Sequence, residues 1–209
     1  MPQNIEHTPL TSWNPKRKAP SIDDTAYIHP QAIVIGDVNI GKRVMASPFV
    51  SIRGDEGGPI RIDDDSNVQD GVIMHGMKTI DSNGDPIEAN QTNVEGIPYS
   101  VYVGKRVSMA HQSQVHGPAA VFDDVFLAMQ TLVFKATVGK GSVLEPKSAA
   151  FCVDIPENRY VPAGMVITKQ EEADALPEIF EGYIFKTTNR EVVDVNIELA
   201  KGYLEKNEK

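Results

Sequence analysis

Residues 103–133 read VGKRVSMAHQSQVHGPAAVFDDVFLAMQTLV, with an apolar side chain at every sixth position: Val103, Met109, Val115, Val121, Leu127 and Val133. Neither the 3.6-residue period of a helix nor plain alternation produces that spacing. The same series runs back through Met74, Val68 and Ile62, then through Ile52, Ala46, Ile40, Val34 and Ile28. Forward, after a one-residue slip, it continues through Val138, Leu144 and Ala150. A smaller apolar residue often falls four positions after the large one, as at Val38, Val44, Val50, Val72, Val107, Ala119 and Val125. Glycine often follows it, as in Ile40-Gly41 and Val103-Gly104. A six-residue period fits short strands, each ending in a turn, wound into a parallel β-helix with three faces. Each face takes about six residues and each coil about eighteen, with coils stacked about 4.8 Å apart.

Two segments leave the repeat. Residues 79–100 are polar and rich in Asn, Gly and Pro, which predicts a long inserted loop. After Pro177 the period changes. Thr188, with Glu191 three residues on, offers a helix N-cap, and Val192, Val195, Leu199 and Tyr203 follow helical spacing up to Leu204. Asn196 falls on the apolar side of that helix, either bonding a nearby backbone group or serving a site. The expected organisation is therefore an extended segment over 1–24, a β-helix over 25–168 interrupted by 79–100, and a linker with an α-helix over 169–209.

Composition narrows the partners. The 209 residues carry 29 acids against 20 Lys and Arg, a net charge of −9, which argues against nucleic acid. No apolar run approaches the roughly 20 residues of a membrane span. The opening residues lack the basic-then-apolar pattern of a secretory leader, so a cytoplasmic location is expected. The single cysteine, Cys152, excludes a disulfide framework or a cysteine-rich zinc module. Between Phe151 and Val153 it reads as a small buried apolar residue.

Five histidines suffice for a metal site of histidine alone. His7 and His29 read as surface residues. His75 directly follows Met74 and His116 directly follows Val115, so the two occupy equivalent places on one face, one coil apart. Two imidazoles at the coil spacing can share one metal. His111, two places after Met109, belongs to a different face and reaches that pair only from a neighbouring chain. A closed three-fold ring repeats such a contact at each interface, so the expectation is a homotrimer with one metal per interface. Three neutral imidazoles leave a fourth position open, as in catalytic zinc sites. Arg53, directly after Ile52, shares the column of His75 and His116, with Asp55 and Glu56 at the next corner; Gln69 and Asp70 follow Val68 near the column of His111. Arg53 and the acids Asp55 and Asp70 are placed to form pairs that fix the register between protomers.

These residues resemble the γ-class carbonic anhydrases, particularly the archaeal type. Ser51-Ile52-Arg53-Gly54-Asp55-Glu56-Gly57 is similar to the Arg-x-Asp-Glu run of that family. Residues 66–75 (SNVQDGVIMH) and 110–118 (AHQSQVHGP) are similar to its two ligand segments, and the likeness extends from Trp13-Asn14-Pro15 to Pro162-Ala163-Gly164 and the terminal helix. The resemblance implies a left-handed β-helix and reversible hydration of carbon dioxide to bicarbonate by hydroxide generated at a metal, zinc or alternatively iron or cobalt. It implies His75, His111 and His116 as metal ligands and an Arg53–Asp55 pair between protomers, with Arg53 also near bicarbonate. It further implies that Gln69 orients the hydroxide, Glu56 takes part in proton transfer, and Asn67 with Asn196 arranges substrate or supports the site.

Two positions depart from the family. Lys78 stands where an acid commonly relays protons outward, and an ordinary Lys, with a pKa near 10.4, is a poor relay at neutral pH. Asp194 stands where Tyr is frequent. Asp81, Asp85 or Glu88 in the polar loop, or buffer itself, is expected to replace the missing relay. The rival readings are a carbonic-anhydrase-like assembly scaffold and, less favoured, a hexapeptide-repeat acyltransferase.

Overall fold

The computed structural model describes residues 4–207, which wind into a parallel β-helix of very short strands. Along the axis the first face stacks Ile5–Glu6, Ile33–Gly36, Ser51–Gly54, Ile73–His75, Gln114–His116, Leu132–Phe134, Ala149–Phe151 and Val166–Ile167. The second stacks seven strands from Ser21–Ile22 to Asp154–Ile155, and the third seven from Tyr27–Ile28 to Tyr160–Val161. The six-residue series points inward throughout. On the first face Val34, Ile52, Met74, Val115, Val133, Ala150 and Ile167 are each at most 1 % exposed. Each face supplies one large side chain per coil to the interior, and the corner must then turn the backbone, so the strands stay two to four residues long.

The corners carry the strain. Arg43, Asp65, Arg106 and Asp124, at four successive corners between the second and third faces, all have positive φ (53°, 64°, 54° and 62°). A non-glycine residue there costs about 1–2 kcal/mol. The four alternate in charge, and each Arg pairs with the Asp one coil on: Arg43 Nε to Asp65 Oδ1 and Arg106 Nε to Asp124 Oδ1, both at 2.6 Å. Such exposed pairs contribute at most about 1 kcal/mol and offset part of the strain. Cys152 also occupies a corner, at φ 57°, and is exposed rather than buried. The apolar neighbour Val153 points inward, and the cysteine takes the turn that Gly36 and Lys135 make at equivalent corners.

The inserted segment is not structureless. Thr92–Val94 and Ile97–Tyr99 form an antiparallel hairpin, after a single 3-10 turn at Glu88–Asn90. Its turn is Glu95-Gly96, both at positive φ (52° and 83°), the conformation favoured in two-residue hairpins. The chain then rejoins the helix as if uninterrupted: Val101–Val103 pairs in parallel with Ile60–Ile62 on one side and Ala119–Val121 on the other.

Beyond the last coil lie a short helix, α1 (Gln170–Asp174), and α2 (Thr188–Asn207). The expected capping box does not form. Thr188 is already helical and directs its hydroxyl to the Ile184 carbonyl, while the Glu191 amide bonds the Thr187 carbonyl. Helix α2 lies along the third face against Tyr27–Ile28, Met45–Ala46 and Ser108–Met109. It buries Val193 and Ala200 and stacks Tyr203 on Tyr27 with centroids 4.8 Å apart. Val195 and Leu199, on its other flank, stay exposed. No helix among the described residues is long and apolar enough to cross a membrane.

Because every coil rests on its neighbours, one interior truncation is felt along the ladder. Ile62→Ala removes a fully buried side chain and should cost about 2–5 kcal/mol, measured as a lowered urea midpoint. A change below about 0.5 kcal/mol would contradict the packing described.

Candidate metal centre

The ladder register places the site. Ser51–Gly54, Ile73–His75 and Gln114–His116 pair so that Arg53, His75 and His116 share one outward column. The second and third members come from segments 41 residues apart, joined in register because the hairpin insertion leaves and re-enters at a corner. The imidazoles of His75 and His116 stand 5.4 Å apart between centroids, at 74° to each other. Below them the column continues with Phe134, 5.2 Å from His116, and Phe151, stacked 4.7 Å from Phe134. Glycine follows each site residue, as Gly54, Gly76 and Gly117. A Cβ on Gly76 would lie 1.6 Å from the Ser100 hydroxyl, and one on Gly117 would lie 2.2 Å from the Ser100 carbonyl.

The donor atoms suit a metal. His75 Nε2 is buried without a hydrogen-bond partner, 3.5 Å from Glu56 Oε2 and 4.0 Å from Asp55 Oδ1. Burial, with Arg53 nearby, holds the His75 ring below the usual imidazole range and so keeps it neutral. His116 Nδ1 meets the Gly117 carbonyl at 3.0 Å; with the proton on Nδ1, Nε2 is left as a ligand. Among the described residues, no three His, Cys, Asp or Glu side chains converge as a metal site within one chain.

The remaining expected residues gather elsewhere. His111, 57 % exposed, lies at the corner after Ser108–Met109 with Nδ1 3.1 Å from Asp70 Oδ2. A carboxylate behind an imidazole fixes the tautomer and leaves Nε2 free, the usual arrangement around metal-binding histidines. Beside them is a groove of about 390 Å³ that also contains Gln69, Asn196, Val195 and Leu199. Gln69 donates through Nε2 to Asn67 Oδ1 at 2.9 Å, and Asn67 donates through Nδ2 to Ser108 Oγ at 2.8 Å. Asn67 is fully buried, so this relay fixes the Gln69 carboxamide. Asn196 lies in the groove and also bonds a backbone group of its own helix, the Val192 carbonyl, at 2.8 Å. The two halves of the expected site, Arg53/Asp55/Glu56/His75/His116 and Asn67/Gln69/Asp70/His111/Asn196, thus occupy different flanks of the chain.

Some expectations take a different form. Arg53 and Asp55 pair within the chain, Nη2 to Oδ2 at 3.1 Å. Asp81 is committed to its own loop, where Oδ1 accepts the amides of Asn83 (2.8 Å) and Asp85 (2.9 Å). Those bonds hold its carboxyl below the usual range. Among the described residues, the carboxylates of Asp85 and Glu88 have no such partners. Lys78 sets its ammonium over the Trp13 ring, 5.7 Å from the centroid. Sequence reasoning passed over Ser108, Ser100 and Asn14. Only Ser108 carried a signal, one coil from Asn67 in the same column.

The fold and the paired imidazoles define a hexapeptide-repeat β-helix protein with a histidine site open to a metal. No family model matches the chain. A carbonic anhydrase of Methanosarcina thermophila is 59 % identical over 97 % of this chain and 82 % of that protein. A carboxysome assembly protein CcmM of Nostoc is 36 % identical over 94 % of this chain but only 33 % of its own length. Among solved structures, a hexapeptide transferase family protein of Anaplasma phagocytophilum superposes with a TM-score of 0.68 at 23 % identity, covering 89 % of this chain and 93 % of that one. That likeness concerns the fold. The chain belongs to the γ-class carbonic anhydrase family.

A neutral His75 makes stability depend on pH. The unfolded ring binds a proton near pH 6.5 while the folded ring, with its lowered pKa, does not. Metal-free protein should therefore lose stability as pH falls below about 6.5, and His75→Gln should flatten that slope between pH 7.5 and 5.5. Urea unfolding at the two values, with an unchanged slope in the variant, would refute the assignment.

Proposed function

We propose that this protein, a carbonic anhydrase by family, interconverts carbon dioxide and bicarbonate at a divalent metal held between protomers of a homotrimer. His75 and His116 of one chain and His111 of the next would hold the metal. The observation that carries the reading is the buried, unpartnered Nε2 of His75, beside His116 and facing Glu56 at 3.5 Å. Zinc suits three neutral imidazoles, and iron or cobalt suits the same donors. When bound, such a metal lowers the pKa of a water to about 7, carbonic anhydrases being the standard example.

The chain's own residues do the rest. Gln69, its amide held by Asn67 and Ser108, turns a fixed carbonyl toward the attacking water and sets its orientation. Glu56 accepts the proton that this water gives up in becoming the hydroxide that attacks carbon dioxide. Arg53, in the column of His75, offers a cation for bicarbonate, and Asn196 offers a carboxamide from across the groove. Asp85, Glu88 or dissolved buffer would carry protons outward, Lys78 being unsuited. Phe134 and Phe151 give the site an apolar floor.

Exposed apolar groups support the assembly. Ile33, Ile73 and Val166 line the first face beside the histidine column, and Val195 and Leu199 line the helix beside His111. Two such flanks are complementary in a ring, where each chain presents one to the next. Asp70 and the Arg53–Asp55 pair lie at these flanks and would fix the register.

Two measurements test the reading. His111→Ala should abolish metal binding, measured by elemental analysis, while the circular dichroism of the β-helix is retained; full metal occupancy would overturn the shared site. Glu56→Gln should lower stopped-flow carbon dioxide hydration at low buffer by about 10²-fold or more, with partial recovery in added imidazole. Metal-loaded protein without hydration activity would leave the assembly-scaffold reading in its place.

A further inference from the structure

Residues 8–18 form a strap closed at its base. The Thr8 amide donates to the Lys18 carbonyl at 2.8 Å, and the Lys18 amide donates to Thr8 Oγ1 at 3.0 Å. A second closure at the tip joins the Thr11 amide to the Asn14 carbonyl (3.1 Å) and the Asn14 amide to Thr11 Oγ1 (2.9 Å). This tip presents Trp13 and Asn14 to the two segments framing His75. Asn14 Nδ2 donates to the backbone carbonyl of Asp55 at 2.6 Å, a contact spanning 41 residues. Trp13 receives the ammonium of Lys78, on the chain leaving His75.

The corner is anchored at its far end, where Thr79 Oγ1 donates to the Gly58 carbonyl at 2.9 Å and accepts the Gly58 amide at 3.4 Å. Arg53 holds the Asp55 carboxylate at 3.1 Å. At its crest Asn14 supplies the side-chain bond to the backbone. Glycines let its ends press against backbone: a Cβ on Gly54 would lie 2.6 Å from the Asp37 carbonyl, and one on Gly57 would lie 2.0 Å from the Met77 carbonyl. Between them Asp55 and Glu56 project toward His75 Nε2, at 4.0 and 3.5 Å. A corner flanked by glycines is conformationally permissive by itself. A neutral side-chain amide is well suited to restrain it, because it donates to the carbonyl and brings no cation to compete for the carboxylates.

We propose that Asn14 is a positioning residue: through the Asp55 carbonyl it fixes the Asp55–Glu56 corner so that the Glu56 carboxylate faces the site. This rests on Glu56 acting as the proton acceptor. The strap is then part of the catalytic apparatus without touching substrate.

The test uses the full-length, metal-loaded protein with Asn14→Ala, Asn14→Asp, Glu56→Gln and the double variant Asn14→Ala/Glu56→Gln. Asn14→Asp preserves shape and removes the donor, so it serves should the alanine variant fail to assemble. Assembly size and metal content should match the parent protein in both Asn14 variants. Hydration kcat at low buffer should fall about tenfold, with a smaller change in kcat/KM, the size expected for a displaced proton acceptor. On the Glu56→Gln background, Asn14→Ala should add less than about twofold, because the two act through one group. Independently of activity, amide hydrogen exchange across residues 54–58 should quicken in metal-free Asn14→Ala. Unchanged exchange, or a full tenfold loss persisting on the Glu56→Gln background, would overturn the proposal. Undiminished activity of Glu56→Gln would instead overturn the role of Glu56, while the exchange rates would still decide whether Asn14 holds the corner.

Discussion

The parallel ladder joining Ile73–His75 to Gln114–His116 is the interaction on which the site depends. It pairs Met74 with Val115 inside the helix and His75 with His116 outside. Burying the first pair in register obliges the second to stack, because side chains alternate across a strand. A slip of one residue in either strand would turn that strand's apolar residue outward and its imidazole inward. The apolar core therefore enforces the spacing of the two imidazoles, and no separate device is needed to hold them together.

Around that ladder the site is fitted with neutral and prepaid groups. Burial keeps His75 uncharged, the Asp70 carboxylate and the Gly117 carbonyl orient the other two rings, and Ser108 and Asn67 immobilise Gln69. None of these supports would be cheap to assemble on a flexible loop. They sit on coils whose backbone amides are already spent in ladders, so ordering them costs little beyond what the β-helix has ordered. The acid corner, like His111, lies between strands, and there a contact comes from the N-terminal strap.

The β-helix was legible because its rule is local: one large apolar residue in six suffices to place each coil, and the same count set His75 beside His116 and Arg53. The separation of His111 from them followed from its different face. What the sequence hid depends on contacts between distant segments or on competing local chemistry. The hairpin at Thr92–Val94 and Ile97–Tyr99 was masked by a polar composition with only Glu95-Gly96 to mark its turn. Cys152 was misplaced inward because apolar neighbours outweighed a corner position that spacing alone did not identify. Thr188 fitted a capping box, yet the preceding turn let the helix bond at Thr187 and Ile184. Asn14 was marked only as part of the Trp13-Asn14-Pro15 likeness, with no sign of its partner, a backbone carbonyl 41 residues away.

The hairpin insertion bears on how such a chain can change. It departs at a corner after His75 and returns before Val101, and the ladders on either side close as though it were absent. Its base is tied by Asn90 to the Lys78 carbonyl and by Gln91 to the Thr79 carbonyl, so it behaves as a cassette with its own fastening. Evolution or an engineer can therefore lengthen, shorten or exchange that cassette, altering the rim beside the histidine column, without moving either imidazole.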